Sequence, residues 1–600
     1  MAFTKLYRPI LHGIALLFSI AWLLFMMLHN EVPVDVGDGV THYFISAASW
    51  KDPILFLHHW GKPFFILLSS PFTQFGFNGG VVFNILVFSA SIIIGFKILE
   101  RKNVSIWLQL LFPLVLLKAH DVAGTLLGGL TEPLFNLAIL AAIYFLVERK
   151  WLLFAVLVSF MPFMRSEGQL PVILAASLIC FFRQFKILPF LLTGFVLYGI
   201  VGWFMLKDPF WYFTHNPYDM ANAIYGKGPW YHYITSYKNY LGNPGLYVLI
   251  LGVPAMVYFL IKKKWNLLHI EWLVFSAGIF FGIIAAHSYF WATGQNGSLG
   301  LTRIATQGMP AFLLINLYYI DKLKWMQSKI AKGIVIAASL GLVTALVTTK
   351  YFPKKADPLD RQVLKTADYL HTLDLKGKKV FYHFPLLSFA YGANNFDPNE
   401  KTFVTYAGRH FDEDLGTLIQ PGDLIIRDSH FGPMEMYLPL SKVDQNKNIV
   451  KIAEFISSQQ KEDPYNETEC VVVYQYVPFK KHYEIKAKID TIEVNKTFEI
   501  GPSNEFTTID DLFPGFKEDT KVTITLMSTT DGLELTYDYN QLEDYSNTLL
   551  QSNKEVSNTY LFRKAGVTKL YIWNPKKVKG KVLVKELIVE NTSYHPFQKN

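Results

Sequence analysis

Apolar runs of ~20 residues recur through roughly the first 350 positions, each long enough to cross a ~30 Å hydrocarbon core. From about residue 351 onward the chain has the composition of a soluble protein, with Asp, Glu, Lys and Asn throughout. The overall figures of 51% hydrophobic and 17% charged residues average over these two unlike halves. A membrane bundle followed by water-exposed domains is the architecture this division predicts.

The apolar segments run over 9–28, 64–97, 104–118, 131–147, 151–164, 168–182, 187–206, 245–261, 270–287, 303–320 and 331–349, or about eleven spans. The first follows Lys5 and Arg8 as a signal peptide would. It lacks a small-x-small cleavage site and reads as a retained first span. With the N-terminus in the cytoplasm, the cytoplasmic turns carry Lys97 with Arg101 and Lys102, Arg149-Lys150, Arg183 with Lys186, Lys262-Lys263-Lys264, and Lys322 with Lys324 and Lys329. Each is basic, as the positive-inside rule requires. The odd count then places 29–63, 119–130, 207–244, 288–302 and 351–600 outside, in a periplasm or equivalent space. Much of the +8 formal charge serves this orientation, and no compact basic patch suggests nucleic acid. Cys180 falls in a span and Cys470 in the soluble half, so no internal disulfide is expected. That fits a bacterial inner membrane.

Chemistry concentrates on the outer face. The first outer loop carries Asp35-Val36-Gly37-Asp38-Gly39-Val40-Thr41-His42, and carboxylates beside a membrane bundle are costly unless partners or chemistry stabilise them. A short helix is expected at about 40–50, where Asp35 and Asp38 would suit the N-terminus. Trp50, Trp60, Trp211, Tyr212, Trp230 and Tyr231 crowd the same face, as an interfacial belt or as sugar-stacking surfaces. His42, His58, His59, His120, Asp121, His215 and His287 also face outward and could hold a divalent cation, with His120-Asp121 the best local pair. Their spacing is not that of a compact metal motif, and no cofactor is expected to be required.

Five elements occur in order: the Gly37-Asp38-Gly39 loop, Gly61-Lys62-Pro63-Phe64, Thr131-Glu132-Pro133-Leu134-Phe135, Met164-Arg165-Ser166-Glu167-Gly168, and Gly300-Leu301-Thr302-Arg303 leading to Pro310. Together they resemble the GT-C glycosyltransferases, polytopic and mannosyltransferase-like enzymes that use polyprenyl-phosphate sugars on the non-cytoplasmic face. The resemblance covers roughly residues 1–350. Ser166 stands where the family has Pro, and Pro63 is single where the family has a pair.

The resemblance implies an inverting hexosyltransferase that needs a carboxylate to deprotonate the acceptor hydroxyl. Asp38 is the expected base, with Asp35 as alternative base or orienter. Lys62, Arg165 and Arg303 become expected ligands of the donor phosphate, Arg by paired bonds and Lys as a point charge. Snorkelling to headgroups is the bland account of these cations. Glu132 and Glu167 stand at helix starts, where carboxylates are structurally satisfactory. With His42 and His287 they are the expected substrate-binding residues. The partners implied are a polyprenyl-phosphate sugar donor, a lipid-linked or cell-surface glycan acceptor, and membrane lipid.

Residues 351–480 read as an extracytoplasmic α/β domain, with a helix at Asp360 to Leu373 and buried strands at 379–382, 423–428 and 470–474. Asp428 and His430 are close in sequence, but a strand-end Asp of this kind is usually structural. Residues 481–600 alternate with period two at 522–526, 533–537, 569–573 and 582–589, the pattern of an antiparallel β-sandwich. Lys480-Lys481 marks the expected boundary. Two rival readings are a lipid-linked glycan transporter or flippase and a non-catalytic polysaccharide-binding assembly protein. A transporter predicts charge at mid-membrane and pseudo-symmetric halves, whereas the charges here gather at one face.

Overall fold

The computed structural model describes residues 2–217, 226–262, 264, 269–295, 299–408, 410–439, 442–443, 446, 448–457, 469–477, 488–512, 520–539, 544–562 and 568–591. Lys263, Lys480 and Lys481 lie outside them. The chain divides into two units, residues 1–355 with 396–398, and residues 356–395 with 399–600.

The first unit is helical. Among the described residues, six helices are long and apolar enough to cross a membrane: Tyr7–His29, Phe77–Arg101, Phe185–Leu206, Gly242–Ile261, Ile270–Thr293 and Lys329–Val347. A seventh crossing results if Ile106–Lys118 and His120–Leu127, which meet at 72°, form one bent span. Five apolar helical stretches are shorter: Pro63–Thr73, Glu132–Val147, Trp151–Met164, Ser166–Phe181 and Met309–Asp321. At about 1.5 Å per residue these fall short of a ~30 Å core. Length therefore supports six or seven spans rather than about eleven.

Local breaks separate long helices from short ones. The run 64–97 is two helices, Pro63–Thr73 and Phe77–Arg101, parted at Gly76, whose φ of +88° no helix accommodates. The run 151–164 stops at Ser159 and resumes at Met161, with Pro162 in its first turn. Two of the short helices, Glu132–Val147 and Met309–Asp321, are largely enclosed by protein, whereas Leu67, Leu152 and Ile173 of the other three are exposed. Met309–Asp321 is buried at every position, whereas Ile330, Leu340 and Val347 of the long helix Lys329–Val347 are exposed. A helix apolar all round is stable in either setting, against protein or against lipid.

Among the described residues, the second unit contains three sheets. The first has order β2-β1-β3-β5-β4, from β1 (Val380–Tyr382), β2 (Phe403–Thr405), β3 (Leu424–Asp428), β4 (Ile449–Ile456) and β5 (Cys470–Tyr476). β1 runs parallel to β2 and β3, and β5 antiparallel to β3 and β4. The helix before it spans Pro358–His371, two residues earlier than the sequence pattern suggests. Asp357 explains the difference: its Oδ1 accepts from Asp360 N at 2.8 Å, closing a capping box ahead of Pro358. Asp428 Oδ1 accepts from the backbone N–H groups of His430 and Phe431, at 2.9 and 2.6 Å, so it shapes the turn after β3.

Eight further strands follow: β6 (Lys488–Ile500), β7 (Phe506–Thr508), β8 (Thr520–Ser528), β9 (Leu533–Tyr539), β10 (Asp544–Leu550), β11 (Glu555–Phe562), β12 (Thr568–Trp573) and β13 (Gly580–Asn591). They form two antiparallel four-stranded sheets, β10-β9-β12-β7 and β11-β8-β13-β6. Val522, Ile524 and Leu526 of one sheet share a core with Leu533, Leu535 and Tyr537 of the other. The inward positions of β13 change phase from Val582 and Val584 to Leu587 and Val589, because a bulge falls between Val584 and Glu586.

Candidate active site

The site is built where the first unit's helices begin. Asp35 Oδ1 accepts from Gly39 N at 2.8 Å and satisfies a first-turn donor of the helix Asp38–Ala48. A Cβ on Gly39 would lie 2.0 Å from the Gly128 carbonyl oxygen, so only glycine allows this approach. Downstream, Lys62 has φ +62° directly before Pro63, an unfavourable backbone for a side-chain-bearing residue. Its Nζ donates to Ser166 Oγ at 3.2 Å.

Arg165 has extended backbone between Met161–Met164 and the turn Ser166–Gly168. A Cβ on Gly168 would meet the Met161 carbonyl carbon at 2.2 Å, which makes that fold-back specific to glycine. Arg303 sits in the 3-10 turn Thr302–Thr306. Asn136 fixes that turn, donating to Thr306 O at 3.2 Å and accepting from Gly308 N at 2.8 Å.

The side chains converge. Arg303 pairs with Asp35 through Nη1 at 2.6 Å and with Asp38 through Nη2. Arg165 Nη1 lies 2.9 Å from Glu132 Oε1, and its Nη2 lies 3.0 Å from Glu167 Oε1. Glu132 Oε1 is also 3.7 Å from Arg303 Nε, so one carboxylate bridges both arginines. Glu167 Oε1 further accepts from Gln307 Nε2 at 2.9 Å and lies 3.6 Å from His287 Nε2. A cavity of about 510 Å³ is lined by Asp38, His42, Lys62, Glu132, Arg165, Glu167, His287 and Arg303, among others. Asp35 lies behind this lining.

Electrostatics follow from burial. Burial, then the charge of Arg165, pushes the Lys62 ammonium down to about 7, against the pull of Glu167 and Asp38. His42 is pushed down to about 3 by burial and then by Lys62, Arg165 and Arg303. Burial alone would lower Arg303, but Asp35, Asp38 and Glu132 outweigh it and hold the guanidinium charged.

All nine residues expected from the sequence therefore meet around one cavity or directly behind it. The sequence gave no role to three others: Thr131 Oγ1 accepts from Arg165 at 2.7 Å, Ser166 receives Lys62, and Gln307 holds Glu167. Trp60, one of the outward aromatics, lines the cavity. The signal for Ser166 was its departure from the family's proline. His120 and Asp121 pair with each other at 3.2 Å, outside the cavity lining, and exposed His215 lies 3.7 Å from Asp208. No group of three or more His, Cys, Asp or Glu side chains suited to a metal occurs among the described residues. A second, apolar groove of about 670 Å³ is lined by Phe163, Phe195, Trp203, Trp211 and Tyr212 among others.

No family model matches this chain, and no curated protein does. Among solved structures, the chain is similar to the crystal structure of ArnT from Cupriavidus metallidurans bound to undecaprenyl phosphate. The identity is 10% and the TM-score 0.45, over 78% of this chain and 98% of that one.

The cavity is lined by charged side chains together with apolar ones, among them Leu130, Leu170, Ile173 and Ile283. Carboxylates and guanidinium groups alternate in it, which suits a ligand with both an anionic centre and hydroxyl donors.

Proposed function

We propose that this chain is an integral membrane glycosyltransferase of GT-C type. It moves a sugar from a polyprenyl-phosphate donor to a lipid-linked or cell-surface glycan acceptor on the extracytoplasmic face. The observation that carries the reading is the meeting of Asp38 with Lys62, Arg165 and Arg303 around one cavity. Such a set supplies a base and an anion site together.

In this mechanism Asp38 takes the proton of the acceptor hydroxyl as its oxygen bonds to the anomeric carbon. The bond from that carbon to the phosphate oxygen breaks, and the electron pair leaves with polyprenyl phosphate. Inversion results from a single displacement. Lys62 and the two arginines stabilise the charge gathering on the leaving phosphate. Asp38 is paired with Arg303; a phosphate that draws the guanidinium away frees the carboxylate to act as base. Asp35 lies behind the wall on the same arginine and suits an orienting role. The apolar groove includes Phe163, two residues before Arg165, in its lining and would offer the polyprenyl chain a surface. The soluble domains would recruit the acceptor, from a periplasm or equivalent space.

The test is label transfer by the purified full chain from a panel of radiolabelled polyprenyl-phosphate sugars to lipid extract of the native host. Transfer by wild type and not by Asp38→Asn supports the reading. No transfer by well-folded wild type from every donor sinks it in favour of transport or binding.

A further inference from the structure

Two residues that line the cavity each carry a buried polar atom with no hydrogen-bond partner among the described residues: His42 Nδ1 and Glu132 Oε2. His42 is 6% exposed and Glu132 1%. A buried polar atom without a partner is costly, so a ligand that supplies the partner recovers free energy on binding. The other oxygen of Glu132 is already shared by Arg165 and Arg303. The chemistry of the two atoms restricts what completes them. A carboxylate oxygen only accepts, so Glu132 Oε2 calls for a donor. A phosphodiester or a carboxylate offers none at neutral pH; a sugar hydroxyl does.

We infer that His42 and Glu132 form a hydroxyl-receiving subsite that reads the sugar of the donor, and that this sugar carries no carboxylate. The assignment rests on the glycosyltransferase reading. His42 is neutral across physiological pH, so it contributes direction and not charge. It is held at the side by Phe65, with ring centroids 5.8 Å apart. A sugar acid would bring its carboxylate into a cavity already lined by Glu132, Asp38 and Glu167. Like charges gathered in a partly buried site are strongly unfavourable. The cavity thereby divides its labour: Lys62, Arg165 and Arg303 take the phosphate, and His42 with Glu132 takes the ring.

Binding to the full chain in detergent is measured for three probes: bare polyprenyl phosphate, the tightest binding of its glucose, mannose and galactose phosphodiesters, and its glucuronate phosphodiester. His42→Phe keeps the packing on Phe65 and removes the nitrogen. It is expected to weaken the neutral glycoside about tenfold while leaving bare polyprenyl phosphate unchanged. His42→Asn, which returns a polar atom near the Nδ1 position, is expected to restore most of the loss. Wild type is expected to bind the glucuronate at least about tenfold more weakly than the neutral glycoside. Equal loss of both uncharged-sugar and sugar-free ligands in His42→Phe, or no loss of either, overturns the assignment. So does equal binding of glucuronate. If wild type binds neither polyprenyl phosphate nor any glycoside, the glycosyltransferase reading itself fails and the subsite falls with it.

Discussion

Arg165 Nη1 stands 2.9 Å from Glu132 Oε1, and both side chains are almost wholly withdrawn from solvent. The same guanidinium holds the part-buried Glu167, so its removal leaves one buried and one part-buried carboxylate short of a counter-charge. Breaking a buried pair from one side costs about 3–5 kcal/mol. Arg165→Ala is therefore expected to lower thermal stability markedly in detergent. Arg165→Lys keeps a charge but loses the two-pronged geometry, so it should fold and still transfer sugar on the order of 10²-fold more slowly. Differential scanning fluorimetry beside the transfer assay separates the two effects.

Asp38 and Asp35 share Arg303 but not the same surroundings. Asp38 faces the cavity, whereas Asp35 also accepts from Gly39 N. Asp38→Asn is expected to reduce turnover by on the order of 10²–10⁴, the usual contribution of a general base, with melting behaviour retained. Asp35→Asn keeps an oxygen for Gly39 and should cost much less. Reversal of that order in single-turnover measurements would move the base to Asp35.

Lys62 gives the site a pH dependence of defined sign. Its ammonium is pushed down from 10.5 to about 7, so the positive charge is present below that pH and is lost as pH rises through it. Affinity for a polyprenyl-phosphate glycoside, a phosphodiester of constant charge, is expected to fall between pH 6 and pH 8. His42, at about 3, stays neutral over this interval. Lys62→Arg remains charged and should flatten the profile; an unchanged slope in that variant would exclude Lys62 as its source.

The glycines can be ranked by stability alone. Gly39→Ala places a methyl 2.0 Å from the Gly128 carbonyl oxygen, and overpacking of this kind costs about 1–3 kcal/mol. Gly13 has nothing within 4 Å of the same added atom and lies inside the helix Ala2–His29. There alanine is expected to be neutral or to stabilise by about 0.5–1 kcal/mol. Thermal melts of the two variants check the contrast.

What the sequence disclosed was residue type and face, and what it withheld was pairing. Lys62, Arg165 and Arg303 could be read as anion ligands, yet Arg303 and Asp35 are 268 positions apart and no local pattern joins them. Gln307 carried no signal because a single amide in an apolar run looks like any other. Helix count was overread for a related reason: apolar composition is the same for a helix facing lipid and for one enclosed by protein, as Met309–Asp321 shows. The alternating strands were legible because period-two burial is a local property, and only the bulge in β13 shifted it. The capping box at Asp357 was also local, and the pattern missed it because the apolar rhythm begins later.

The close approach of Gly39 to Gly128 has a consequence for anyone handling this protein. The wall of the cavity is contributed by stretches near residues 38–62, 130–132, 165–173 and 282–304, drawn from almost the whole first unit. No short fragment can carry it, and any ligand that docks there reports that distant parts of the chain have come to rest in register. A phosphoglycan probe would thus serve as a quality gauge for each preparation, telling an assembled membrane unit from a merely soluble one before a single turnover is counted.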